Sequence, residues 1–261
     1  MGIIERKERE REARKNQILE AAQKVFEDRG VGTATMDEIA KSAELAKGTI
    51  YLYYKNKEEL LLGLILRGFE VLHEMIIAET DKHPRGLKKL MVIGDAYRLF
   101  AMQEKFLFGI MNVSEPPAKS NISQELIDEL GVHSGNIWTK FIEVAEQAKA
   151  EGDVKPEVNG FTFVMTMWLS GTGVLRMYNK CMSAKNSVFA ARSGGIHLEL
   201  LDWNYIYNLT ERMLLENVVT EQGRVHLDEV EWRSFEQLGL EFSNKTGSFT
   251  NNPVIEEEAI V

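Results

Sequence analysis

The 261-residue chain is 44% hydrophobic and carries a formal net charge of −9, enough apolar content to fill one large core or two modest ones. No run approaches 18 consecutive apolar residues, so the sequence predicts no membrane span and no membrane partner. The charged N-terminal stretch, without an apolar block behind it, argues against a secretory leader and for the cytosol. A single cysteine, Cys181, excludes an internal disulfide framework, and the five histidines have no helical metal spacing. We therefore expect no metal and no cofactor.

Charge is unevenly spread. Residues 1–57 carry twelve Lys/Arg against ten Asp/Glu, and the remaining 204 carry nineteen against thirty. A near-neutral head on an acidic body suits a chain that meets phosphate at one end only.

Helical periodicity dominates and no sustained strand alternation occurs, which predicts an all-α fold. Glu5–Lys15 alternates charge and reads as a solvated helical extension. Ile18, Ala21, Ala22, Val25 and Phe26 then line one helical face, ended by Gly30 and Gly32. A short helix follows from Thr35, whose spacing to Glu38 is that of a capping box. Ile39, Ala40 and Ala43 give it an inward face, and Ala43–Ala46 allow only a sharp turn. In the next helix, from Lys47, Ile50 and Tyr54 face inward, leaving Lys47, Gly48, Thr49, Tyr51 and Tyr53 on other faces. Two helices joined by so short a turn have helix-turn-helix geometry, with the second entering the DNA major groove. Asn56 and Glu59 form another box-like cap on a long fourth helix that runs from Lys57 to Pro84. Thr35 and Lys57 stand at helix N-termini, where free amides favour phosphate.

Further helices are predicted at about 84–103, 104–113, 121–151, 157–181 and 197–221, followed by one or two amphipathic turns and a polar tail expected to be poorly ordered from Ser243. The expected division is a DNA-binding domain at 1–56, an effector-binding and dimerisation domain at 57–222, and a C-terminal extension at 223–261.

The segment AELAKGTIYLYYKNKEELLLG, with the preceding Ile18-Leu19-x-Ala21-Ala22 and Phe26-x-x-x-Gly30, resembles the signature of the TetR family of bacterial transcription regulators. The resemblance covers roughly residues 16–62. It implies a three-helix DNA-binding domain followed by a helical ligand-binding and dimerisation body. It also implies a homodimer, a palindromic duplex operator and usually repression relieved by a small molecule. Carried over by position, Thr35, Lys47, Gly48, Thr49, Tyr51, Tyr53 and Lys57 become DNA-contact residues. Two positions depart from the family pattern: Ala46, where serine is common, and Glu44, where glycine is common.

The body concentrates methionine and aromatic residues, which adapt to irregular apolar ligands. Phe100, Phe108, Met111, Trp138, Phe141, Met165 and Trp168 are the expected effector-cavity lining. Arg98, His133 and Arg176 supply the polar groups, which favours an effector with an apolar body and a polar or anionic end. Val164, Trp168, Leu175, Leu198, Leu201, Tyr205, Leu209 and Met213 are expected at a four-helix dimer interface. Ser170-Gly171-Thr172-Gly173 lies in a helical pattern and reads as a close helix crossing or a local kink. An enzyme has little support, because no GxSxG elbow, metal spacing, dinucleotide fingerprint or acid/base pair is present. A scaffold that has lost DNA binding would leave the caps and Lys47, Gly48 and Tyr51 unexplained.

Overall fold

The computed structural model describes residues 2–112, 122–183, 201–229, 232–234 and 237–238. The expected disorder from Ser243 lies outside the described residues. Among the described residues there are ten α-helices and no named strand: α1 (Ile3–Arg29), α2 (Met36–Ser42), α3 (Lys47–Tyr53), α4 (Lys57–Thr80), α5 (Gly86–Gln103), α6 (Lys105–Met111), α7 (Gln124–Ala150), α8 (Gly160–Ser183), α9 (Trp203–Val218) and α10 (Glu221–Asp228).

α1 is one continuous helix. Its first turns are solvent-exposed, and its later turns bury Ile18, Leu19, Ala22 and Phe26 at helical spacing against α2 and α4. Gly30 ends it at φ +80°, a left-handed conformation that favours glycine. α4 enters this small bundle through Leu60 and Gly63, then continues past α5, α6 and α7. Gly63 sits under the Tyr54 ring and Leu19, where an added Cβ would lie 2.9 Å from the ring.

α5 is buried on nearly every face and forms the axis of the body. At its start, a Cβ on Gly86 would overlap the backbone of Ala148 in α7, so the α5–α7 crossing depends on glycine. α8 and α9 pack together on the far side. At their contact Gly171 faces the Tyr207 hydroxyl, while the neighbouring Thr172 bonds the Tyr97 hydroxyl of α5 at 2.8 Å. Gly171 therefore meets a side chain at ordinary contact distance, and a Cβ at Gly173 would meet nothing within 4 Å.

Beyond α9 the chain folds back onto the body. Asp153 is fully buried; His226 of α10 lies 2.8 Å from its carboxylate and Arg85 3.5 Å. Arg233 pairs with Asp95 of α5 through Nε at 3.0 Å, so this part of the C-terminal extension belongs to the packed body.

Candidate nucleic-acid interface and effector cavity

The α2–turn–α3 unit is held by local chemistry. The Thr35 hydroxyl accepts from the Glu38 amide at 3.3 Å, and the Glu38 carboxylate accepts from the Thr35 amide at 3.0 Å, which completes the expected capping box. The Thr35 hydroxyl bond, reinforced by the Thr35 amide, holds the Glu38 carboxyl below its ordinary value. Across the turn, Glu44 adopts φ +54°, a left-handed conformation that costs a side-chain-bearing residue and suits glycine. Ala46 caps α3 without a side-chain hydrogen bond. The two departures noted in the sequence thus fall where glycine and serine would each help the backbone.

Ile50 and Tyr54 are buried, as their spacing predicts. Lys47, Gly48 and Tyr51 are exposed, and Thr49 and Tyr53 are half-buried. Lys47 bonds Asp37 of α2 at 2.6 Å and lies 6.0 Å from the centre of the Tyr51 ring. The Asp37 hydrogen bond holds the Lys47 ammonium above its ordinary value, so it stays charged at any physiological pH. A Cβ at Gly48 would meet nothing within 4 Å, so nothing in the fold itself asks for glycine there. Leu52, which the sequence reading passed over, is 84% exposed on the same short helix. An apolar residue displayed on a recognition helix suits thymine methyl groups, and that exposure follows from its place two residues beyond Ile50.

Lys57 departs from expectation. Its ammonium donates to the carbonyls of Gly32 (3.0 Å) and Ala34 (3.2 Å), clamping the α1–α2 loop rather than pointing outward. A lysine on the first turn of α4 reaches carbonyls 25 residues back, a pairing that local spacing cannot reveal. The second box-like cap is also only half formed. Asn56 accepts from the Glu59 amide at 2.8 Å, but the buried Glu59 carboxylate accepts from Lys55 at 2.7 Å and from the amide of Ser123, just before α7, at 3.1 Å. The start of α7 is thereby tied to the DNA-facing end of α4.

In the body, a small cavity of about 30 Å³ lies among α5, α7, α8 and α9, lined by Leu90, Ile93, Gly94, Tyr97, Phe141, Val164, Met167, Trp168, Tyr207 and Glu211. Of the expected lining, Phe141 and Trp168 border it. Trp138 stands directly behind them, with ring centres 5.8 Å from Phe141 and 5.3 Å from Trp168. Phe108 is one ring further out, 5.7 Å from Tyr97. Phe100 is fully buried core, Met111 fills the space over Gly68, and Met165 is half-buried; none of the three lines the cavity.

The expected polar groups are elsewhere. Arg98 is fully buried and donates to Asp95 at 2.6 Å, Asn208 at 2.8 Å and the Arg233 carbonyl at 2.9 Å, with its guanidinium 5.0 Å from the centre of the Tyr207 ring. Its charge is neutralised inside the body, and it does not border the cavity. His133 lies 3.5 Å from Glu70, and Arg176 is exposed on α8. The polar group that does line the cavity is Glu211, which burial, seconded by the Asp95 charge, pushes up to about 8. Burial likewise raises the Tyr207 and Tyr97 hydroxyls. Trp203, Tyr207, Glu211 and Leu215 recur every four residues on the buried face of α9. A carboxylate inside an otherwise apolar stripe was the signal that could have found it.

The opposite face of α9 exposes Tyr205, Leu209 and Met213, and α8 exposes Phe161, Leu169 and Met177. Of the expected interface residues, Leu201, Tyr205, Leu209 and Met213 are exposed. Val164 and Leu175 are instead core, Trp168 faces the cavity, and Leu198 lies outside the described residues.

Comparison with known proteins agrees with this architecture. The family model described as "Bacterial regulatory proteins, tetR family" matches residues 18–64. The chain is 57% identical over 47 residues to the uncharacterized HTH-type transcriptional regulator YhgD of Bacillus subtilis (18% of this chain, 25% of that protein). It is 35% identical over 86 residues to the fatty acid metabolism regulator protein of the same species (33% and 44%). It thus spans less than half the length of either of these curated relatives. The crystal structure of the transcriptional regulator FadR from Bacillus subtilis in complex with stearoyl-CoA superimposes with a TM-score of 0.55 at 19% identity, covering 74% of this chain and 96% of that one. That likeness concerns the fold and extends it through the body. Residues 18–64 thus match the DNA-binding region of the TetR family of bacterial transcription regulators, and the helical body that follows shares its fold with a solved regulator.

Proposed function

We propose that the protein is a ligand-responsive, homodimeric repressor that binds a palindromic operator in the cytoplasm and is released from it by a small apolar or amphipathic effector. The observation that carries this reading is the joining, by the single helix α4, of an outward-facing recognition helix to a body with a partly open, mostly apolar cavity. Lys47, Gly48, Thr49, Tyr51 and Leu52 would face the groove, with Thr35 and half-buried Tyr53 at its edge, and Lys57 supports them from behind. We read the cavity as binding rather than catalytic, since Glu211 has no base, nucleophile or metal-ligand set around it in the lining.

One helix-turn-helix buries too little DNA for specificity, so two must be held about 34–36 Å apart or a multiple of it. The exposed apolar rows on α8 and α9 supply a self-complementary face for that purpose. The effector would act by favouring one of two spacings, with a coupling of about 1–3 kcal/mol. Two routes from the cavity support this. α4 runs between both units, and the Phe106 ring of α6 stacks at 6.4 Å on Phe26 of α1. Sedimentation and operator binding of Leu209→Lys test the reading together: the variant should become monomeric and lose affinity. A wild-type protein that sediments only as a monomer at micromolar concentration contradicts it.

A further inference from the structure

The effector cavity has one titratable acid and no cation in its lining. Glu211 reaches in from α9, opposite Gly94 of α5, where an added Cβ would overlap the carboxylate oxygen. The glycine therefore leaves room for the carboxyl group. The two cations nearest by structure, Arg98 and Arg233, are both engaged by Asp95, and Arg98 also by Asn208. The two hydroxyls in the lining already have partners: Tyr97 with Thr172 at 2.8 Å, and Tyr207 with the Gly94 carbonyl at 3.1 Å. The same cavity is lined by the rings of Tyr97, Phe141, Trp168 and Tyr207, of which Tyr207 meets the carboxyl directly. Once ionised, a carboxyl group beside aromatic rings is complementary to positive charge, and it offers an anionic end no countercharge.

Building on the reading of this cavity as the effector site, we propose that it takes a cation: an amine or quaternary ammonium on an apolar body, held by the Glu211 carboxylate and the surrounding aromatic faces.

The chemistry has a proton in it. In the empty cavity, burial and then the Asp95 charge hold Glu211 protonated up to about pH 8, with Arg98 opposing them. From its own helix Tyr207 faces it, and from the C-terminal segment Arg233 approaches through Asp95. α7 and α8 present only Phe141, Val164, Met167 and Trp168 to the cavity, none of them charged. A bound cation takes the place of that proton. The O–H bond of Glu211 breaks, the proton leaves to solvent, and the carboxylate pairs with the ammonium. Affinity for a permanent cation must then rise with pH until the carboxyl of the empty protein has ionised, whereas a neutral ligand of the same shape has no such dependence.

Three probes of one chain length separate the possibilities: decyltrimethylammonium, decanol and decanoate, each titrated below its micellar concentration into the full-length protein by calorimetry. The cation should bind tightest, with affinity rising by about tenfold per pH unit below pH 8. Glu211→Gln should cost the cation about tenfold or more and flatten its pH profile, while decanol is unchanged. Gly94→Ala, which crowds the carboxyl directly, should weaken the cation in the same direction. If decanol binds but decanoate outcompetes the cation, or Glu211→Gln leaves the cation's affinity intact, the charge assignment falls and the cavity reading stands. If none of the three binds, the effector-site reading falls with it.

Discussion

The DNA-facing end and the cavity are built by different kinds of contact. In the helix-turn-helix most polar bonds span three or four residues: Thr35 to Glu38, Asn56 to Glu59, Lys55 to Glu59. In the body many join residues far apart in the chain. Tyr97 meets Thr172, Arg98 meets Asn208, and Arg233 meets Asp95, 138 residues away. The first arrangement fixes a small rigid reader by local rules, and the second makes a cavity whose shape and charge depend on assembly of the whole body. The ligand-responsive regulator proposed above would need both, a reader that keeps its shape and a body with two.

If that contrast holds, disturbing the body's long-range network should cost far more than disturbing the reader. Arg98→Ala removes the fully buried central cation and leaves half-buried Asp95 with Arg233 alone; urea denaturation should show a loss of about 3–5 kcal/mol. A loss below about 1 kcal/mol, the range of an exposed ion pair, would erase the distinction.

The cavity should also write itself into the pH dependence of stability. Glu211 has its carboxyl raised from 4.5 to about 8 by burial. The fold therefore favours the protonated form: its stability is fully present below about pH 4.5, declines as pH rises toward 8, and is level beyond. Glu211→Gln should remove that decline, as read from thermal midpoints between pH 5 and pH 9. A decline of equal depth in the variant would place its origin in another group.

In the reader the expected effects are smaller and of opposite sign. Glu44→Gly relieves a left-handed backbone at φ +54° and should stabilise by about 1 kcal/mol. Ala46→Ser supplies the missing cap of α3, for about 0.5–2 kcal/mol. Smallest is Gly48→Ala, which should gain about 0.5–1 kcal/mol in helix stability because no neighbour opposes the methyl. The same change should weaken operator binding if backbone approaches the groove there. A Gly48→Ala protein that is more stable and binds as well as wild type would remove Gly48 from the interface.

The same contrast explains what the sequence revealed. Ile50 and Tyr54 inward, Lys47 and Tyr51 outward, and the Thr35–Glu38 box all follow from spacing within one turn of helix. The loop-clamping bonds of Lys57 are invisible to local spacing because its carbonyl partners precede it by 23 and 25 residues. Arg98 was taken for a ligand group because it is charged and sits among apolar residues. Its partners at Asn208 and Arg233 appear only once α9 and the C-terminal segment have folded back. Phe141 and Trp168 were legible as aromatic residues on amphipathic helices. Phe100 and Met111 share that pattern yet became core, because periodicity tells an inward face from an outward one but does not tell packed from hollow. Glu211 was legible in principle, as the carboxylate in the four-residue repeat Trp203, Tyr207, Glu211, Leu215.

The central claim, that α3 reads duplex DNA, is tested most directly by selecting sites from a random duplex pool. Wild type should be compared with Lys47→Ala, Tyr51→Ala, each checked for intact helix content. The wild-type protein should enrich a palindromic site and bind it with a steep salt dependence. The double variant should enrich none, and on the wild-type site its salt slope should fall by about one unit for the lost lysine. Equal enrichment and equal slope for both proteins, or no enrichment by the wild type, would contradict the account.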